Sequence, residues 1–265
     1  MSTLVQTVTA PPGSMQKLLH RTPPLPVDHV APQPVAETDA LAGLREHATP
    51  VRARRRQRLS LTGTHTDVAY IVRSGLLCLE AAAPGKHRQL LALFYPGDVI
   101  QNAFVPQLSS VTLSALAVAE VLRLPASNFD ALLASDAALA AHVQRRLAGQ
   151  HARAMLHAAI VGALCGEDRV VSLLIELALR VGKACSGGVA CEMMLSRADT
   201  ADYLALNADT LSRITSRLRG RGLLTQTARG RIVLPDWGGL CALSPFADAL
   251  VALHAKPEPA PSLTG

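Results

Sequence analysis

The chain has 265 residues, 49% of them hydrophobic and 17% charged, with a formal net charge of +6 and a pI near 9.4. That length supports one large or two ordinary domains with a sizeable core, and the basic balance fits a nucleic-acid partner. Its longest apolar runs, such as Leu156–Cys165, fall short of the ~18 residues a membrane span needs. The N-terminus MSTLVQTVTAPPG lacks the basic and apolar regions of a signal peptide. A soluble cytoplasmic protein is expected, with no membrane partner.

Five cysteines, Cys78, Cys165, Cys185, Cys191 and Cys241, are scattered, and none forms a pair or Cys/His cluster with zinc spacing. They read first as reduced, partly buried thiols. Residues 1–37 are proline-rich with little periodic pattern and read as a flexible arm. Residues 38–124 form the next unit. The runs VRARRRQRLSL, DVAYIVRSG, LLCLEAAA, HRQLLALFY and VTLSALAVAEVLRL have strand length, and RSG, APGK and YPGD punctuate them as turns. This spacing predicts an antiparallel sandwich or barrel. Arg52, Arg54, Arg55, Arg56 and Arg58 read first as an exposed strand face and second as a nucleic-acid patch.

Residues 125–165 are helical. Asp136–Leu164 contains no proline, and Leu139, Val143, Leu147, then Leu156, Ile160 and Leu164, recur at helical spacing. A helix this long with an apolar seam is expected to pair with a second copy across a dimer axis. Its histidines, His142, His151 and His157, form no i, i+4 pair and read as surface or interface residues. A further helix spans Glu167–Gly182, followed by the loop KACSGGVA and a short strand CEMML.

Ser196-Arg197-Ala198-Asp199 has the spacing of a capping box and starts a helix over Ala198–Leu206. Asn207 then caps a second helix reaching Gly220, with Leu211, Ile214 and Leu218 on one narrow stripe. Asp209, Ser212, Arg213, Ser216 and Gly220 lie on the opposite side. Two short helices around a tight turn make a helix-turn-helix, and LLTQT-ARG-RIVLP beyond Gly222 makes its wing. Between Arg197 and Arg231 there are seven arginines against three aspartates, a net +4. In such a motif the second helix enters the major groove, where arginine reads guanine and a carboxylate accepts from cytosine. The unit is placed at 166–242 and a tail at 243–265.

With these motifs in this order, residues 38–242 resemble the Crp/Fnr superfamily of bacterial transcription regulators. Ala69–Glu80 resembles its strand-Gly-strand signature, and Leu90–Ile100 its phenylalanine-x-proline-glycine-aspartate turn. The helix from Asp136 stands where the family has its dimerisation helix. The resemblance implies an α+β fold: an antiparallel β-roll of the cyclic-nucleotide-binding jelly-roll type, a long dimerisation helix and a winged helix-turn-helix. The Fnr and FixK branch carries a Glu-x-x-Ser-Arg recognition set, and the matching positions here are Asp209, Ser212 and Arg213. The implied partners are double-stranded operator DNA with TTGAT–ATCAA half-sites, a second copy of the chain, and RNA polymerase. Thr210, Ser216 and Arg217 are the accompanying candidate DNA contacts. Thr200 stands at a core position and Ala205 at a turn glycine of the family pattern.

No resident cofactor or metal is expected. A cyclic-nucleotide pocket of the family's kind needs Gly-Glu and then an arginine. Here Gly97 precedes Asp98, and Val99–Leu122 contains no Arg or Lys to hold a buried phosphate. No cysteine precedes Cys78, which disfavours the N-terminal iron–sulfur cluster of the oxygen-sensing members. Cys78 and His87 are the candidate haem ligands of an effector-dependent alternative, although a packed thiol and a surface histidine suit them better. Cys185 and Cys191, just before the DNA-binding helices, are candidate redox residues. A different class of alternative is a ligand-binding module whose winged domain serves protein interaction. No nucleophile–base pair, P-loop or dinucleotide motif supports an enzyme.

Overall fold

The computed structural model describes residues 44–62, 67–82, 88–105, 111–227 and 230–254. The predicted arm, His87 and the residues from 255 onward lie outside them. Eight strands form the first unit: β1 (Thr49–Ala53), β2 (Arg58–Leu59), β3 (Val68–Ser74), β4 (Leu77–Ala82), β5 (Arg88–Phe94), β6 (Val99–Gln101), β7 (Val111–Ala115) and β8 (Ala119–Pro125). They pair antiparallel into two four-stranded sheets, β1-β8-β3-β6 and β2-β7-β4-β5. This is the β-roll that the sequence predicts.

Strand alternation explains how the roll serves three cores at once. Val68, Tyr70 and Val72 of β3 and Leu77 and Leu79 of β4 face each other between the sheets. Ala69 and Ile71 point the other way, onto Phe129, Leu139 and Val143 of the helices. Cys78 joins Leu90 and Tyr95 in the core shared with the C-terminal unit. Strands buried on both faces read as continuous apolar runs, as β3 does.

Two runs that read as single strands are each divided. The arginine-rich run becomes β1 and β2, which lie in different sheets, with a turn between them. The run from Val111 becomes β7 and β8, also in different sheets, and its bend wraps Gly75. A Cβ on Gly75 would sit 2.2 Å from the Val118 carbonyl oxygen, and its φ of +82° suits glycine alone. The three-residue strand β6 is too short to carry a pattern.

Helix α1 spans Ala126–Ser135 and the long helix α2 spans Ala137–Ala163. The Asp136 carboxylate caps α2, accepting from the Ala138 and Leu139 amides at 2.9 and 3.0 Å. Polar side chains then fasten α2 to the roll. Gln150 pairs with both backbone groups of Val99, and Arg153 donates to both Asp98 oxygens at 2.7 Å. Only Leu139, His142, Val143 and Ile160 of α2 are buried within the chain.

Helix α3 (Gly166–Val181) is followed by β9 (Lys183–Cys185), β10 (Gly188–Glu192), α4 (Arg197–Leu204), α5 (Ala208–Gly220), β11 (Thr225–Gln226), β12 (Arg231–Leu234), α6 (Trp237–Ala242) and α7 (Ala247–His254). The small strands form a wing sheet ordered β11-β12-β10-β9. The hairpin β9–β10 replaces the expected loop and places its second strand earlier than CEMML. Helix α7 is a correction to the tail assigned from residue 243. Leu250 and Ala247 are buried against the C-terminal core, a face too short to distinguish from tail composition in the sequence.

The turn between α4 and α5 is held by Ala205 at φ 51°, ψ 48°, a left-handed conformation. An L-residue there costs about 1–2 kcal/mol, partly offset by the smaller chain entropy that alanine loses on folding. Ala205 is exposed, so its methyl contributes little packing. Ala205→Gly is therefore expected to raise the unfolding free energy by about 0.5–1 kcal/mol in urea titration.

Candidate nucleic-acid interface

Helix α5 is prepared at both ends. The Asn207 side chain accepts from the Thr210 amide at 2.7 Å, and the Arg221 amide closes the C-terminus on the Arg217 carbonyl at 3.0 Å. Leu211, Ile214 and Leu218 are buried in the C-terminal core, as their spacing predicts. On the other side Asp209, Arg213, Ser216 and Arg217 are exposed, while Thr210 and Ser212 are half-buried. The sequence-predicted candidates thus share one helix but not one environment.

Ser212 donates its hydroxyl to the Ala208 carbonyl at 2.8 Å, and Thr215 donates to Leu211 at 2.7 Å. Arg213 has no carboxylate within ion-pair distance among the described residues, so its fork of donors faces solvent. Arg217 and Arg221 instead converge on Glu167 in the first turn of α3, at 2.5 and 2.8 Å. Arg219 is held by Gln226 of the wing. Glu167 thus orients two basic side chains, one on α5 and one at its C-terminal end.

Helix α4 carries the capping box expected from its sequence. Ser196 accepts from the Asp199 amide at 3.1 Å, and Asp199 accepts from the Ser196 amide at 3.1 Å. Thr200 is buried and donates to the Ser196 carbonyl at 2.9 Å, which satisfies its hydroxyl in the core. Asp199 also meets the β-roll. Each nitrogen of the Arg88 guanidinium meets a different carboxylate: Nη1 with Glu80 at 2.9 Å, Nε with Asp202 at 2.9 Å, and Nη2 with Asp199. Glu80 takes further bonds from Ser114 at 2.9 Å and Thr112 at 3.2 Å. Burial pulls the Arg88 pKa down, but its hydrogen bonds to Asp199 and Asp202 outweigh that and raise it above the usual guanidinium value. For Asp199, burial pushes upward while bonds from Ser196 and Arg88 prevail and lower the pKa.

A second polar cluster lies deeper. Glu176 of α3 is buried and accepts from Tyr95 at 2.8 Å and Tyr203 at 3.4 Å. Burial raises its pKa. Arg180 lies over the Tyr95 ring, 5.1 Å from its centroid, and donates to His254 of α7 at 3.2 Å. His157 of α2 stacks flat on Tyr203, with ring centroids 3.8 Å apart and an interplanar angle of 6°. His157 and the buried His142 are therefore not surface histidines, whereas His151 is exposed.

The sequence reading missed these junction residues. Glu80 and Arg88 share a hairpin, but the other two partners of Arg88, Asp199 and Asp202, lie more than a hundred positions away. Glu176 did leave a signal, a carboxylate inside the apolar face VVSLLIELAL.

The remaining candidates divide by burial. Cys191 is 1% exposed and burial pushes its thiol up to about 12, while Cys185 is exposed. Thiolate formation at neutral pH is thus disfavoured at Cys191. Cys78, the candidate haem ligand, is likewise fully buried and pushed up to about 12. Asp98, which follows Gly97 in the roll, is buried and spent on Arg153 and the Tyr95 amide. Among the described residues no group of three or more His, Cys, Asp or Glu is placed to hold a metal ion.

Residues 168–243 match the Crp-like helix-turn-helix domain, and residues 50–136 the cyclic nucleotide-binding domain. Over 175 residues the chain is 30% identical to the nitrogen fixation regulation protein FixK of Azorhizobium caulinodans, covering 64% of this chain and 69% of that protein. A stretch of 73 residues, 28% of this chain, is 37% identical to FixK of Rhizobium meliloti and spans 33% of it. The solved structure of FixK2 from Bradyrhizobium japonicum is 25% identical with a TM-score of 0.63, over 74% of this chain and 97% of that one. A CooA mutant from Carboxydothermus hydrogenoformans shares the fold, with a TM-score of 0.64 at 18% identity over 81% of this chain and 95% of that one.

The stacked histidine gives the junction a pH dependence. Burial pushes His157 down to about 4, whereas in the unfolded chain it titrates near its ordinary value of 6.5. Between those values the unfolded state holds the extra proton, so this contribution is present above pH 6.5 and is lost as pH falls toward 4. His157→Phe keeps a flat ring on Tyr203 and removes the titration. Acidification from pH 7 to 5 is expected to cost the variant about 1–2 kcal/mol less unfolding free energy than the parent.

Proposed function

The chain belongs to the Crp/Fnr family of DNA-binding transcription regulators, and on that premise we propose that it is a cytoplasmic homodimer reading an inverted-repeat operator with TTGAT-like half-sites. One observation carries this reading: a doubly capped helix α5 whose exposed face carries Asp209 and an Arg213 without an ion pair among the described residues, with Ser212 at its margin. Each protomer would place that helix in the major groove of one half-site, with the two half-sites one helical turn apart. Arg213 would donate two hydrogen bonds to guanine, and Asp209 would stand for the longer glutamate of the family at cytosine. Ser212 would complete the base-facing set by turning its hydroxyl away from Ala208. Thr210, Ser216 and Arg217 would take phosphates, Arg217 exchanging Glu167 for the backbone anion.

Dimerisation is supported by the outer face of α2. Ala141, Ala148, Ala152, Met155, Ala159 and Gly162 fall along one side at coiled-coil spacing, and Met155 is 60% exposed. Small residues there permit close approach, with Met155 as the apolar contact. RNA polymerase is the expected further partner of a bound dimer.

The same geometry favours a regulator that needs no cyclic nucleotide. Asp98 is already neutralised by Arg153, and the sequence supplies no cation between Val99 and Leu122. The polar junction of Arg88 with Asp199 and Asp202 meanwhile fixes the helix-turn-helix on the roll.

Arg213→Ala is expected to cost about 1–3 kcal/mol at the cognate operator and much less on random DNA. Fluorescence anisotropy on both duplexes checks this. Equal losses on the two would make Arg213 a phosphate contact and remove it from base reading. A protein with no affinity for DNA would instead support an interaction role for the winged domain.

A further inference from the structure

The arginines of β1, β2 and the turn between them have no part in the operator reading. We propose that Arg52, Arg54, Arg56 and Arg58 form a second DNA-contacting surface, on the β-roll, that grips phosphates flanking the half-site. This rests on the DNA-binding reading and extends it beyond the helix-turn-helix.

The segment is a built turn rather than a loose loop. Buried Ala53 and Leu59 anchor its ends in the inter-sheet core. The Arg56 amide bonds the Ala115 carbonyl at 2.7 Å, and the Ala115 amide returns a bond to Gln57 at 3.0 Å. The Gln57 amide bonds Arg54 at 2.9 Å, and the Gln57 side chain accepts from the Arg54 amide at 2.9 Å. Arg56 itself adopts a left-handed φ of 66°. That conformation favours glycine, yet the position carries a cation. All five side chains of the run, Arg55 included, are exposed.

Compensating charge is scarce around them. Among the described residues, Arg55 meets Asp199 at 3.3 Å, and Glu120 lies opposite Arg52 in the β1–β8 register. No ion pair is formed by Arg52, Arg54, Arg56 or Arg58 within the described residues. Five guanidinium groups within seven residues repel one another, and a polyanion relieves that repulsion by releasing its own counterions. Arginine's planar fork also matches phosphate geometry.

Position selects duplex DNA as the polyanion. The Arg55–Asp199 contact sets the turn beside the first turn of α4, where Arg197 and Ala198 are exposed. In helix-turn-helix complexes the first helix crosses the sugar-phosphate backbone while the second enters the groove. The arginine turn thus continues the basic side of the helix-turn-helix onto the roll, toward DNA that runs past the half-site.

The test uses the full chain and two operator duplexes, one ending at the inverted repeat and one extended by about one helical turn on each side. The variant is Arg52→Gln/Arg54→Gln/Arg56→Gln/Arg58→Gln, which leaves Arg55 in place. Circular dichroism and thermal unfolding establish that it folds. Wild type is expected to bind the long duplex more tightly than the short one. If each protomer takes two flanking phosphates, its salt slope on the long duplex steepens by roughly 4. The variant is expected to lose that increment while keeping wild-type affinity and selectivity on the short duplex. Equal wild-type affinity for both lengths overturns the proposal, as does an equal loss by the variant on both. A variant that keeps the length increment but loses transcription activation also overturns it, and assigns the patch to an acidic protein surface. Failure of wild type to distinguish the short operator from a scrambled one sinks the operator reading instead. The flank difference between wild type and variant is then judged on a sequence selected from random DNA.

Discussion

One guanidinium joins the two halves of this molecule. Arg88 stands on a β-roll strand and pairs with three carboxylates, one from its own sheet and two from the first helix of the helix-turn-helix. Glu80 and Asp199 are both buried; without Arg88, Asp199 would keep only the half-exposed Arg55 at 3.3 Å and Glu80 no cation among the described residues. Breaking a buried pair by removing one partner costs about 3–5 kcal/mol, because the other charge stays uncompensated. The position of α4, and through the Ala205 turn that of α5, therefore depends on this contact. The geometry presented to DNA is set on the β-roll as much as within the winged unit.

Beneath that ionic layer the coupling is apolar and hydrogen-bonded. Leu76, Leu90 and Tyr95 of the roll lie in the same continuous core as Leu174, Leu204 and Leu211 of the C-terminal unit. Glu176 ties Tyr95 of the roll to Tyr203 of α4, and Arg180 ties the same site to His254 of α7. Helix α2 enters through Arg153 and the His157 stack. A buried polar network of this kind, with its members satisfied, favours one arrangement over its neighbours. It fixes the helix-turn-helix against the roll.

Much of this was legible because it is local. The cap at Asn207, the capping box at Ser196 and the stripe of Leu211, Ile214 and Leu218 are fixed by residues within a few positions of one another. The β-roll was legible from strand-length runs and glycine turns, although the runs from Val51 and Val111 concealed sheet changes that only tertiary packing decides. The ion pairs of Arg88 and Arg153 were illegible, since a guanidinium carries no sign of which distant carboxylate it will meet. Helix α7 was hidden by its brevity and by the proline-rich residues that follow. At the candidate interface the residue types were readable, but the engagement of Arg217 by Glu167 and the exposure of Arg213 were not.

The most direct measurement is equilibrium binding of the protein, with no added ligand, to a TTGAT–ATCAA inverted repeat and to a scrambled duplex across a salt series. The account predicts tight, salt-sensitive binding that discriminates the two sequences. Weak binding without discrimination would contradict it, showing that the fixed junction does not by itself present a competent recognition helix.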